Sequence, residues 1–235
     1  NQFYGIEIND FAVSVAKTAL WIAEEQMMEA TQEILLREFD FLPLKSNSNI
    51  REGNALRMDW GEVLPAERCS YIIGNPPFVG ASMCAASQKQ EIVDLFGKIK
   101  LSNSLDYVSG WYYKAAEMML ANAAIKAAFV STNSITQGEQ VYPIWNTLRS
   151  RFGIHIDFAH RTFRWDSEAS LKAHVHCVII GFAKFSRSNK YLYDNGRTTV
   201  AENINRYLMD GDNILVRSRN KPLCDIPKMI YGNKP

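Results

Sequence analysis

The apolar run Tyr71-Ile72-Ile73 ends in Gly74-Asn75-Pro76-Pro77-Phe78, and no other stretch limits the fold as tightly. Apolar, β-prone residues in a short run read as a buried strand, and the double proline ends it. Proline fixes its own φ and restricts the residue before it, so Asn75 and Pro76 are both held extended. Neither proline has a donor, which leaves the carbonyls of this turn able to face outward as acceptors. A strand that stops in an amide, a carbonyl and an aromatic ring suits the gripping of a planar amine. The plain alternative is a strand-terminating surface turn.

Around this junction, short β-rich runs alternate with amphipathic helices. Phe3 to Ile8 reads as a buried strand, and Asn9 or Asp10 can cap a helix over 11–37 with Val13, Ala16, Leu20, Ala23 and Met27 on its inner face. Asn47-Ser48-Asn49 marks a loop, 50–56 a short strand, and 69–74 the strand that enters the double-proline turn. A polar connection over 79–104 contains a helix at 90–96 and three lysines (Lys89, Lys98, Lys100), which read equally as phosphate contacts or as part of a solvated loop. A helix over 105–121 follows, with Asp106 placed to cap it and Trp111, Tyr112 and Tyr113 as core aromatics. Strands are expected at 127–132, 154–159 and 175–182, with a helix over 139–152 that tolerates Pro143 in its first turn. This alternation predicts an α/β sandwich with a mainly parallel sheet. In such sheets ligands sit at the carboxyl ends of the strands, where Glu7, Asn54 and Asn75 fall.

Charge divides the chain. Residues 1–183 carry 16 Lys or Arg against 20 Asp or Glu, whereas 184–235 carry ten against five. The basic end includes Arg217, Arg219 and Lys221, a candidate phosphate-backbone surface. After Lys184 the pattern weakens, which predicts one unit over 1–189 and a second beginning over 190–235. The four cysteines (Cys69, Cys84, Cys177, Cys224) form no Cys-x-x-Cys pair, which argues for a reducing compartment and against zinc. His174 and His176 share a strand face without a third ligand in view, so no metal is expected. No stretch approaches a membrane span.

The turn supports a specific chemistry. The exocyclic amine of a nucleobase is a poor nucleophile because its lone pair is delocalised into the ring. If the Asn75 side-chain oxygen and the Pro76 carbonyl each accept one N–H, the lone pair turns toward an electrophile, and the acceptors stabilise the positive charge developing on nitrogen. Phe78 can stack on the base, worth about 1–3 kcal/mol. A base within a duplex has to be flipped out to reach such a pocket.

On these residues the chain resembles the class I, S-adenosylmethionine-dependent amino-methyltransferases acting on DNA. Phe3-Tyr4-Gly5-Ile6-Glu7-Ile8 is similar to the family's acidic-strand motif, which implies that Glu7, with Ile8 beside it, takes the cofactor's ribose hydroxyls. Gly53-Asn54-Ala55-Leu56 resembles the next motif, which implies that Asn54 and Ala55 meet the cofactor adenine; many members have Asp at the Asn54 position. Asn75, Pro76, Pro77 and Phe78 resemble the catalytic motif, in the variant that goes with adenine N6. The segments from Asp106 to Tyr113 and from Phe129 to Gly138 look most like single-chain restriction–modification enzymes. The segment from Phe158 to Trp165 resembles the one that completes the target-base pocket, with Phe163 or Trp165 as a second aromatic wall. The motif order resembles the gamma arrangement, in which a target-recognition domain follows the catalytic one.

The resemblance implies a Rossmann-like sheet with an antiparallel C-terminal hairpin strand, double-stranded DNA as partner, and fused or associated nuclease and recognition domains. It further implies a bacterial, cytoplasmic, nucleoid-associated enzyme. The family's glycine-rich cofactor loop belongs on a central strand about twenty residues before Glu7. No pair among the 13 glycines has the Gly-x-Gly spacing, so the expectation is that the central strand is missing and that 1–235 is inactive alone. The alternatives are an RNA or protein-glutamine methyltransferase, which can use a similar turn, and a non-catalytic DNA-binding fragment.

Overall fold

The computed structural model describes residues 2–35, 49–97, 99, 102–166 and 174–219. Lys98, Lys100, Lys221, Cys224 and the expected helix end at Arg37 lie outside the described residues, as does the side chain of His174.

The elements run β1 (Gly5–Glu7), α1 (Asp10–Leu35), β2 (Ile50–Glu52), α2 (Trp60–Val63), β3 (Tyr71–Gly74), α3 (Ala86–Phe96) and α4 (Ser109–Ala121). They continue through β4 (Lys126–Thr132), α5 (Val141–Phe152), β5 (His155–Asp166), β6 (His174–Ala183), β7 (Lys190–Asp194) and β8 (Arg197–Ala201). The strands form two sheets. The parallel pair β1–β2 stands apart from a six-stranded sheet in the order β3-β4-β6-β5-β7-β8.

The large sheet is mixed, not mainly parallel. β3 pairs with β4 and β5 with β7 in parallel, while β6 runs antiparallel to both β4 and β5, and β7–β8 is an antiparallel hairpin. The strand–helix alternation behind the parallel expectation holds only as far as β5. No helix separates β5 from β6 among the described residues, and residues 161–166, expected in the connection, extend the strand.

The boundary expected between 189 and 190 falls at the start of β7, which joins the sheet through Phe158↔Tyr191 to His160↔Tyr193. The sheet therefore continues across it. The hairpin turn is Asn195-Gly196, both at positive φ, which matches the right-handed twist of a two-residue hairpin. That Asn-Gly pair is a legible hairpin signal; its flanking Tyr191 and Tyr193 are partly exposed and give a weak apolar pattern.

One face of the large sheet is packed by α4 and α5. In β4 the buried positions Ala127, Phe129 and Ser131 alternate with half-buried ones, so the strand has one inner face. Tyr112 on α4 meets Phe129, Phe182 and Trp145 with ring centroids 5.1–5.8 Å apart. Trp145 Nε1 donates to the Ile135 carbonyl at 2.8 Å, so the indole is buried without an orphaned donor. α5 closes on Gly153 in the left-handed conformation, its N–H returning to the Arg149 carbonyl.

α1 differs. Asn9 caps it through Oδ1, which accepts from Ala12 N at 3.0 Å. Of the inner face expected from periodicity only Val13 is buried, and Met27 is 68% exposed. Two three-residue strands present too little surface to cover a 26-residue helix.

Candidate active site

Glu7, Asn54 and Asn75 all lie at carboxyl ends of parallel strands. β1 and β2 end side by side, with Glu7 opposite Glu52, and Gly53 N donates to the Glu7 carbonyl at 2.8 Å. Glu7 Oε1 accepts the amides of Ile8 (2.9 Å) and Asn9 (3.1 Å), which aims the carboxylate beyond the strand. Its Oε2 has no partner among the described residues, so one oxygen can take a hydroxyl donor. Ile8 is exposed, and the Ala55 carbonyl accepts Trp60 Nε1 at 2.8 Å.

Asn54 is more occupied than the sequence suggests. Its Oδ1 accepts Leu56 N at 2.9 Å and its Nδ2 donates to Glu91 Oε1 at 3.1 Å. Each end keeps one further hydrogen-bonding capacity for a ligand.

Asn75 is exposed, Pro76 buried and Phe78 half-buried. Neither the Asn75 side chain nor the Pro76 carbonyl has a hydrogen-bond partner among the described residues, as an amine-accepting pair requires. The Pro77 carbonyl is not free: it accepts Val79 N at 3.0 Å and tightens the exit of the turn.

Two residues lock that exit. Tyr107 N donates to the Val79 carbonyl at 3.0 Å, and Asp106 Oδ1 accepts Ala81 N at 2.8 Å and Gln140 Nε2 at 3.0 Å. Asp106 Oδ2 accepts the Thr132 hydroxyl at 3.2 Å and the Ser134 hydroxyl. The cap of α4 is Val108, without a side-chain hydrogen bond, so Asp106 is not a helix cap. Its carboxylate instead ties the Asn75 turn to the end of β4 and the start of α5, where four donors outweigh one cap bond.

Below the turn lies a second buried carboxylate, Glu91 on α3. Its Oε1 receives Asn54 Nδ2 and both Arg57 Nε and Arg57 Nη2 at 2.7 Å, and its Oε2 receives the Tyr107 hydroxyl. Burial, then the hydrogen bond to Glu91, push the Tyr107 phenol up to about 12, so it remains a donor at neutral pH. The sequence signals Glu91 only weakly, as an acid beside Ile92, itself one turn before Phe96 on the inner face of α3.

Phe163 and Trp165 share the same edge of the sheet but not the immediate surroundings of Asn75. The row Gly74↔Phe129↔Ile180↔Ala159 crosses four strands, which puts β5 about 14 Å to the side of β3 at ordinary strand spacing. Beyond Thr132↔Cys177 the pair β5–β6 continues without β4 as a two-stranded arm. At its base Phe163 meets His160 of the sheet body edge-on at 4.8 Å, Phe163 and Trp165 lie 6.3 Å apart, and Trp165 is half exposed.

Of the basic end, Arg217 stacks over Tyr142 at 5.2 Å and Ser218 Oγ donates to Glu139 at 3.4 Å, while Arg219 is exposed. Glu139 and Tyr142 flank Gln140, the partner of Asp106, so this segment borders the site. Among the described residues no group of three His, Cys, Asp or Glu is placed to hold a metal ion, and no helix is long and apolar enough to cross a membrane.

A family model described as the DNA-methyltransferase domain of MmeI matches residues 1–194. DNA methyltransferase A of Bacillus subtilis (strain 168) is 46% identical over 239 residues, covering 100% of this chain and 27% of the relative. The solved structure of the Type IIL restriction-modification enzyme MmeI in complex with DNA is 47% identical, with a TM-score of 0.91, covering 99% of this chain and 32% of that one. The chain thus spans about a third or less of the length of the relatives it matches.

Proposed function

The chain belongs to the MmeI DNA-methyltransferase domain family, and from that premise we propose that it forms the base-accepting part of a restriction–modification enzyme that methylates adenine N6 in DNA. The observation that carries this reading is the pair of unpartnered acceptors, Asn75 Oδ1 and the Pro76 carbonyl, on a turn locked by Asp106 and Tyr107. S-adenosylmethionine, when bound, supplies an electrophilic methyl group on sulfur. Asn75 and Pro76 hold the two amine protons in their plane, directing the nitrogen lone pair out of the ring conjugation and toward that methyl carbon. As the methyl group is transferred, with the C–S electron pair kept on sulfur, Asn75 and Pro76 stabilise the charge on nitrogen until one proton leaves to solvent. Phe78 fixes the plane of the flipped base.

Glu7 accepts a ribose hydroxyl through its open Oε2 with Ile8 alongside, and Asn54 and Ala55 border the cofactor adenine. Phe163 and Trp165 form the far wall of the cleft on the projecting arm. Arg217 and Arg219, with Lys221 following, run along the DNA backbone. Among the described residues β3 carries a hydrogen-bonded neighbour only on its β4 side, and Ile73 on it is 81% exposed. β1 is likewise paired only with β2. Two open edges support the Rossmann-like arrangement in which a central strand carrying the glycine-rich cofactor loop lies between them.

The test is transfer of labelled methyl groups from S-adenosylmethionine to duplex DNA by the full-length protein. Asn75→Ala is expected to lower kcat at least about 100-fold with DNA affinity retained. Full activity of the variant removes Asn75 from the mechanism. Labelling of RNA or protein in place of DNA would move the substrate to the rival class.

A further inference from the structure

The Asn54–Glu91 contact explains a departure that the family resemblance leaves open, and it links the two sides of the site. Glu91 is 7% exposed, and the donors that meet it come from two separate segments. Asn54 and Arg57 belong to the turn after β2, and Tyr107 to the segment before α4. The charged and titratable groups facing the carboxylate are Arg57 and Tyr107. The Asn54 amide can sit only one way round. Leu56 N requires its oxygen, and Glu91 requires its NH2. An Asp at this position satisfies Leu56 but sets a second carboxylate against Glu91 at hydrogen-bonding distance, where like charges resist joint ionisation. Tyr107 completes the link: its hydroxyl holds Glu91 while its backbone N–H holds Val79, three residues after Pro76.

We propose that Glu91 is a positioning residue that selects Asn over Asp at position 54 and couples the cofactor-adenine side of the site to the turn presenting Asn75. The proposal rests on the methyltransferase reading above. Glu91 touches neither reacting atom; it acts through Asn54 and Tyr107.

The experiment measures kcat and the KM for S-adenosylmethionine in the full-length protein between pH 6 and 9, for wild type, Asn54→Asp, Glu91→Gln and the double variant. Asn54→Asp is expected to raise this KM at least about tenfold, because the introduced carboxylate faces Glu91 at hydrogen-bonding distance. Glu91→Gln alone gives a smaller, pH-independent rise. In the double variant the amide introduced at position 91 donates to the carboxylate introduced at position 54, and KM returns to within about threefold of wild type across the range. A purely structural pair shows rescue of the melting temperature without rescue of KM, and that result overturns the coupling. Equal KM for Asn54→Asp and wild type, or a double variant no better than Asn54→Asp, overturns it as well. Failure of the methyltransferase reading is separately visible, as a wild type that does not label DNA or an Asn75→Ala variant that does.

Discussion

The two sheets of this chain are held in very different ways. Around the six-stranded sheet, Tyr112, Ala115, Ala116 and Met119 of α4 and Ile144, Trp145 and Leu148 of α5 are essentially inaccessible, packed on Phe129, Ile180 and Phe182. Around the β1–β2 pair, α1 buries Val13 alone, and Phe11 is 73% exposed. Asn75 stands on the first, rigid part, whereas Glu7 and Asn54 stand on the second. The Glu7–Asn54 side therefore takes its precision from the junction between them. That junction consists of Leu56 inserted into the core, the Glu91 carboxylate, and Arg68 donating to the Tyr4 hydroxyl at 3.0 Å.

The largest test of this contrast is a pair of matched truncations followed by urea unfolding. Phe129→Ala removes a ring that touches Tyr112 and Phe182, and is expected to cost about 3–5 kcal/mol. Phe11→Ala removes the same ring from an exposed helix face and is expected to stay within about 0.5 kcal/mol. A cost above about 2 kcal/mol for Phe11→Ala means that this face is covered in the unfolding unit, and the contrast fails.

The junction itself is tested by Gly110→Ala in α4. A Cβ there would lie 2.7 and 2.8 Å from the two methyl carbons of Leu56 and 3.1 Å from Ile92 Cδ1. Gly110 is the second residue of α4, so alanine gains there at most the roughly 1 kcal/mol it gains over glycine in a helix interior. Overpacking of about 1–3 kcal/mol outweighs the propensity gain, leaving a net loss of about 1 kcal/mol. The more telling readout is hydrogen exchange. Amides of β1, β2 and the 53–58 turn should lose protection in Gly110→Ala while those of β4 keep theirs. Equal loss in both places means that the junction is not a separate link.

The same division governs what could be read from the residues alone. Glu7 and Asn75 were legible because each follows a short apolar run closely, and a strand end has one place in a parallel sheet. Asn54, after Ile50-Arg51-Glu52-Gly53, was legible only through its Gly-Asn motif. The antiparallel course of β6 was not legible from periodicity, because a helix-free return of the chain leaves an alternation of apolar residues like any other strand. The roles of Asp106 and Glu91 were hidden for a different reason. Each holds residues far away in the chain, so their pairing exists only after α3 and α4 have packed. Asp106, ahead of a helical run, even carries the local signature of a cap. The occupied state of Asn54 has the same origin, since the group that claims its NH2 lies 37 residues further on.

The mildest outcome concerns His155, at the opposite end of the six-stranded sheet from Asn75 and at the start of β5. Burial, then Arg149, Lys190 and Arg206, hold its imidazole below the ordinary histidine value. A histidine depressed in the folded state binds fewer protons than in the unfolded chain. Its contribution to stability is therefore present above the ordinary histidine value near 6.5 and is lost as pH falls through the folded value. His155→Gln keeps a polar side chain and removes the titration. The stability difference between wild type and variant should therefore shift against wild type as pH is lowered from about 7 to about 5, measured by urea midpoints at each pH. The site end of the sheet, with Asn75 and its locked turn, should keep its amide protection over the same range. A pH-independent difference between the two proteins would show that the charge on His155 is not sensed by the fold, and that the cations around it are screened by solvent.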